Sequence, residues 1–259
     1  MASALRFYLT GGVAIEGSQT FDHGALSGRQ GRLALVYLLV ERHRPVPIHE
    51  LATALWGDDL PRTWEPSLRV IISKLRTVLT QAGDGDTTII TEGGCYRVRL
   101  GDAWVDIEVA ANAVDRAEGA WRHEDVATTW SEATVAAGIV RRPLLPGEER
   151  PWVSALRTRL HDMGVRALDL LVQVYLSRGE HSLAIAVGRD LVALEPFREA
   201  SYRHLMRAHL AAGDRAEAVR THQQLRELLT DELGVDPSTE TTALYLDVLR
   251  AGTPRRAEG

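Results

Sequence analysis

Cysteine is nearly absent from this 259-residue chain, which has Cys95 alone, so no disulfide framework can hold it and a reducing compartment suits it. No apolar run approaches the ~20 residues that cross a bilayer. The first residues, MASALRFYLT, lack the basic start and long apolar core of a signal peptide. A cytoplasmic protein with no membrane partner is expected. No Walker motif, no GxGxxG after a strand and no HExxH is present. His204 and His209 stand five apart on a helical pattern and diverge by about 140°, which makes a poor metal pair. Cys95 with a distant histidine would be a thiol nucleophile in an exposed turn, a poorly supported place for one. The expectation is therefore a non-enzyme with no catalytic residue, no cofactor and no metal. Lysine is nearly missing too: Lys74 is the one lysine among 30 basic residues, which suggests a GC-rich coding sequence and says little about mechanism.

What is present is ordinary globular material, 45% hydrophobic and 25% charged, enough for one large domain or two modest ones. The most informative stretch is 63–80, TWEPSLRVIISKLRTVLT. Leu68, Ile71, Ile72, Leu75, Val78 and Leu79 follow the spacing of an amphipathic helix. Pro66 suits its first turn, with Thr63 or Glu65 as cap. The opposite face carries Val70, Ser73 and Thr77, flanked by Arg69 and Arg76 on one side and Lys74 on the other. Small central residues let a helix sink into a major groove while the cations reach bases or phosphates. Alone, the pattern fits a solvated surface helix better than a DNA-reading one. Total charge, −5, does not favour a nucleic acid. Residues 1–101 hold 11 basic and 10 acidic side chains, net +1, and 102–259 hold 19 and 25, net −6. Local charge is more telling: Arg62, Arg69, Lys74 and Arg76 stand against Glu65 alone across 62–80, and phosphate attraction acts over about a Debye length.

The neighbours of this helix decide between the readings. LRFYL, VAIEG and a segment from Phe21 to Leu26 read as short strands, broken by Gly11-Gly12 and Gly17-Ser18. A helix is expected from Ser27 to about His43, ended by Pro45 and Pro47. IHELATALWG gives a second, from Ile48 to Gly57, with Leu51, Leu55 and Trp56 as buried anchors. TTIITEGGCYRVRL, 87–100, is a β-hairpin turning at Gly93-Gly94, whose alternation puts Arg97 and Arg99 on the outer face. Three helices, then a hairpin with two outward arginines, preceded by a small antiparallel sheet, is the winged helix-turn-helix plan of response-regulator output domains. The candidate DNA-binding residues are Arg69, Val70, Ser73, Lys74, Arg76, Thr77, Arg97 and Arg99.

The second half is helical and repeats at 34 residues. Leu171 matches Leu205, Leu176 matches Leu210 and Gly179 matches Gly213. Glu180, Ala184, Ile185 and Leu191 match Asp214, Ala218, Val219 and Leu225. This is the tetratricopeptide signature, in which helix pairs bury their faces by stacking. An earlier pair fits more loosely, with HEDVATTW (123–130) echoing EHSLAIAV (180–187). A Pro/Gly-rich charged loop, 138–151, follows it, and Asp236-Pro237-Ser238 opens a final capping helix.

Both halves, in this order, resemble the Streptomyces antibiotic regulatory protein family of actinobacterial transcriptional activators. The residues carrying the likeness are GRQGRLALVYLLVERHRPVPIHELATALWGDDLP, LRVIISKLRTVL, ITEGGCYRV and EPFREASYRHLMRAHLAAGDRAEAVRTHQQLRELLTDELGVDPS. The resemblance implies a mainly α protein with small β elements. It would have an OmpR-like winged-helix DNA-binding domain over 1–103, a tetratricopeptide-like bacterial transcriptional activation domain over 104–252 and a disordered tail over 253–259. It further implies a homodimer that binds direct repeats in double-stranded promoter DNA and recruits RNA polymerase through its sigma factor, controlling an antibiotic gene cluster. Larger relatives add an ATPase or a phosphopeptide-binding module, and the sequence up to Gly259 contains neither. Two positions depart from the family pattern: Cys95 stands where a glycine precedes the tyrosine, and Pro66 lies near a commonly polar site. The competing reading is a tetratricopeptide scaffold whose N-terminal domain no longer binds DNA. A 1–103 fragment, at about 100 residues, is expected to fold alone.

Overall fold

The computed structural model describes residues 5–22, 24–83 and 86–251, so the tail expected over 253–259 lies outside the described residues. The protein is mainly helical with few strands. No described helix is long and apolar enough to cross a membrane. Contacts divide the chain into two units: residues 1–111 with 138–161, and residues 112–137 with 162–259. The boundary expected after residue 103 is not where the contacts divide, because 104–111 and a later segment group with the first unit.

The first unit opens with β1 (Arg6–Tyr8), β2 (Ala14–Glu16) and β3 (Thr20–Phe21), antiparallel neighbours. The third strand stops at Phe21 rather than running to Leu26, where the chain turns. α1 (Gly28–Val40) is shorter than expected at both ends. Ser27 takes a left-handed φ of 58°, so it cannot be the first helical residue. A Cβ on Gly31 would come within 1.8 Å of the Leu26 carbonyl, which reserves that position for glycine. β4 (Val46–Pro47) leads into α2 (Ile48–Trp56), whose Leu51 and Leu55 are buried while Trp56 is only half-buried. α3 (Trp64–Ala82), β5 (Thr88–Glu92) and β6 (Cys95–Arg99) follow, and β4, β6 and β5 form a three-stranded sheet in that order.

The first sheet is completed from far along the chain. β7 (Trp104–Val105) pairs parallel with β1, Phe7 opposite Val105. α4 (Asp106–Arg122) then begins with a fully buried carboxylate. Asp106 Oδ2 accepts from the Leu9 and Thr10 N–H groups, each at 3.0 Å, and from Thr10 Oγ1 at 2.8 Å. The Arg142 guanidinium lies 3.7 Å away. The segment expected to be a loop is bound into this unit: the Gly11 N–H donates to the Pro143 carbonyl, and Arg29 forms a two-pronged ion pair with the buried Glu148. Trp152 packs edge-on against Tyr37 and donates its indole N–H to the Ala54 carbonyl at 3.0 Å.

The other helices are α5 (Val126–Val140), α6 (Pro151–Ser177), α7 (His181–Leu194), α8 (Glu199–Ala211), α9 (Arg215–Leu233) and α10 (Thr239–Arg250). The 34-residue repeat is visible as geometry within the second unit. Gly179 and Gly213 both take positive φ, at 70° and 82°. In each turn the glycine N–H and the next N–H reach back to successive carbonyls, of Leu176 and Tyr175 in one and of Leu210 and His209 in the other. Ala184, Ala218, Leu191 and Leu225 are fully buried, as matched pairs should be. The earlier echo is in a different register from the one expected. Glu124, with φ 60°, takes the glycine place, and its turn bonds to Trp121 and Ala120 in the same way. Glu124 therefore aligns with Gly179, and His123 does not align with Glu180. Ser238 caps α10, accepting from the Thr241 N–H and donating to Glu199.

Two buried histidines should make this unit acid-sensitive. Burial, then Arg189, lowers the pKa of His209; burial, then Arg226, lowers that of His222, which stacks on Tyr245 at 4.0 Å. Burial disfavours the protonated form of each in the folded state, whereas the unfolded chain takes up a proton near the ordinary histidine value of about 6.5. The unfolded chain thus binds more protons below that pH, and stability falls as pH drops through it; nothing is lost above it. Thermal melts of the parent and of His222→Phe should show the parent losing more between pH 7.5 and 5.5. Parallel pH profiles would show that His222 contributes no acid sensitivity.

Candidate nucleic-acid interface

The apolar stripe of α3 packs inward completely: Leu68, Ile71, Ile72, Leu75, Val78, Leu79 and also Ala82 are buried. That fixes the rotation of the helix and leaves Arg69, Val70, Ser73, Lys74 and Thr77 exposed. Val70 is 53% exposed and is, among the described residues of the first unit, the one large hydrophobic side chain standing out in solvent. Arg69 pairs with Glu65 one turn earlier, at 3.3 Å. Both partners are solvent-exposed, so the pair contributes little and its guanidinium is free to leave for another acceptor. Lys74 has no ion-pair partner among the described residues. The Thr77 hydroxyl is engaged with the Ser73 carbonyl at 3.2 Å.

Arg76 is placed differently from the other candidates. Its Nε donates to the Ile89 carbonyl and its Nη2 to Thr91 Oγ1, both at 2.7 Å. The side chain is half-buried and ties α3 to β5. Periodicity gave its azimuth correctly, but the neighbouring strand uses both ends of its fork.

The β5–β6 hairpin turns through Gly93 and Gly94, with φ of 58° and 74°, both in the left-handed region that a two-residue turn of this hand requires. The Cys95 departure leaves the turn intact: Cys95 lies beyond it, in β6, opposite Glu92 and Pro47. The Gly94 carbonyl accepts from the Ile48 N–H, which fastens the turn to the start of α2. Tyr96 and Val98 are buried, and Arg97 and Arg99 are exposed, as strict alternation requires. Pro66 falls at the third residue of α3, inside the first turn, where no N–H is needed. Thr63 precedes the helix, but its side chain makes no capping bond.

One feature was not legible in sequence. A mostly apolar cleft of about 440 Å³ opens at the start of α3, lined by Pro47, Ile48, His49, Trp64, Arg69 and Gly94 among others. His49 and Trp64 meet edge to face at 5.7 Å across it. It is assembled from three separate elements, so no single periodic pattern announces it. Among the described residues, no group of three or more His, Cys, Asp or Glu could hold a metal ion.

The small side chains of α3 and the exposed cations of α3 and β6 suit a polyanion better than a small molecule. Residues 105–249 match the model of the bacterial transcriptional activator domain. The regulatory protein AfsR of Streptomyces griseus is 31% identical over 251 residues, covering 96% of this chain and 25% of AfsR. The transcriptional regulator RedD of Streptomyces coelicolor is 26% identical, covering 93% of this chain and 69% of RedD. This chain thus spans about a quarter of the AfsR length. The solved structure of Mycobacterium tuberculosis EmbR, in complex with a low-affinity phosphopeptide, superposes with a TM-score of 0.85 at 24% identity. It covers 98% of this chain and 67% of that one, which shows a shared fold. The chain belongs to the Streptomyces antibiotic regulatory protein family of actinobacterial transcriptional activators, by its bacterial transcriptional activator domain and its likeness to AfsR and RedD.

Proposed function

We propose that this chain is a sequence-specific DNA-binding transcriptional activator acting in the cytoplasm. α3 is its recognition helix, entering the major groove, and the β5–β6 hairpin is the wing of a winged helix-turn-helix that reaches the backbone. Two copies bind direct repeats in promoter DNA side by side. The net acidic helical unit, built of stacked pairs, engages RNA polymerase through its sigma factor. A secondary-metabolite gene cluster is the target that the family suggests. The observation that carries this reading is the outward face of α3, small in the middle and cationic at its edges, beside a hairpin showing Arg97 and Arg99 to solvent. The exposed Trp130, Leu183 and Phe197 of the second unit support a protein partner there.

The test is selection of duplex DNA from a random pool by the full chain, followed by binding titrations over a range of salt. Arg69→Ala should cost about 1–3 kcal/mol on the selected site and relax its preference. Lys74→Ala should weaken all sequences alike and lower the salt slope by about one. Recovery of no preferred sequence would overturn the reading.

A further inference from the structure

We infer that Val70 reads the C5-methyl group of a thymine in the operator, so that each half-site favours a 5-methyl pyrimidine beneath the second turn of α3. This rests on the DNA-binding function proposed above and deepens it. Val70 occupies the centre of the exposed face, opposite a stripe whose seven apolar residues are all buried, so no turn of the helix could hide it in the core. Single exposed apolar residues are ordinary on a surface. This one is flanked by Arg69 and Lys74, with Ser73 and Thr77 one and two turns on, where a groove-reading helix meets base edges.

A valine side chain has no donor and no acceptor. Set against the N7 and O6 of guanine, or the N4 amino group of cytosine, it would strip water from those groups and return nothing. In the major groove the methyl of thymine is the apolar group among the base edges, and it alone matches what Val70 offers. Thr77 strengthens the same bias. Its hydroxyl proton is engaged with the Ser73 carbonyl, which leaves it no donor for a base and keeps its own methyl available. Specific recognition by this helix is therefore divided. Arg69 supplies the polar contact, and the Val70 position selects by apolar fit.

The experiment uses the full chain and the duplex recovered by selection from random DNA. Each thymine is replaced in turn by deoxyuridine, which removes the methyl and leaves base pairing unchanged, and binding is measured for the parent and for Val70→Ala. At one thymine per half-site the parent should lose about three- to tenfold in affinity, the worth of a buried methyl. Val70→Ala should bind the thymine and uracil duplexes alike at that position. 5-Methylcytosine at the same place should recover part of the methyl effect for the parent only. Because Val70 is exposed, the alanine variant should melt as the parent does, so a folding defect cannot imitate the result. If the parent binds its selected duplex with full preference yet Val70→Ala responds to every uracil as the parent does, the inference is overturned while DNA reading stands. If the parent recovers no preferred duplex at all, DNA reading fails and this inference falls with it.

Discussion

A chain cut after residue 103 is expected to yield no stably folded DNA-binding unit, and Asp106→Ala in the full chain is expected to cost about 3–5 kcal/mol. The reason is that the N-terminal sheet is closed from outside that fragment. β7 begins at Trp104 and supplies the parallel partner of β1. Asp106 has no exposed surface, and one of its oxygens satisfies two backbone N–H groups and the Thr10 hydroxyl. Alanine there leaves three buried donors unpaired, each worth about 1–3 kcal/mol, with partial relief from water or relaxation. Asp106→Asn keeps an acceptor oxygen and should lose less. The fragment also lacks Glu148 and Trp152, which hold Arg29 on α1 and the Ala54 carbonyl on α2. Urea unfolding of the full-length variants, with circular dichroism of the fragment, measures both effects. A cooperative transition in the 1–103 fragment near that of the parent would restore the simpler boundary. An Asp106→Ala change within about 0.5 kcal/mol would remove the proposed role of the carboxylate.

What sequence could reveal here followed from local periodicity, and what it could not followed from partners far along the chain. The buried stripe of α3, the outward placement of Arg97 and Arg99 and the Gly93-Gly94 turn are each set by spacing within one element or one hairpin. The 34-residue match located the Gly179 and Gly213 turns because both use glycine for a left-handed residue. The equivalent first turn uses Glu124 in that conformation, so a match by residue type slid the register. Asp106 bonds to residues almost a hundred positions away, and Glu148 to one more distant still; no pattern in a window connects them. Arg76 shows the same limit inside the candidate site. A helical wheel places a side chain at an angle but does not know that Ile89 and Thr91 wait there.

That distinction gives the second large effect. Replacing Arg97 and Arg99 together with alanine should weaken binding to all DNA sequences at least about tenfold and lower the salt slope by about two. Both residues are exposed and opposite the buried Tyr96 and Val98, so the melting temperature should hardly move. Arg76→Ala should behave in the reverse way. It removes two hydrogen bonds that fasten β5 to α3, costs stability on the order of 1–3 kcal/mol, and leaves the salt slope nearly unchanged. Arg76→Lys keeps the charge but cannot reproduce the forked geometry, so it should resemble the alanine variant in stability. Urea unfolding and salt-titrated binding, run on the same variants, separate the two roles. If Arg76→Ala lowered the salt slope by one with stability intact, Arg76 would be a phosphate contact after all; if the double replacement unfolded the domain, Arg97 and Arg99 would belong to the framework of the hairpin rather than to its DNA-facing side.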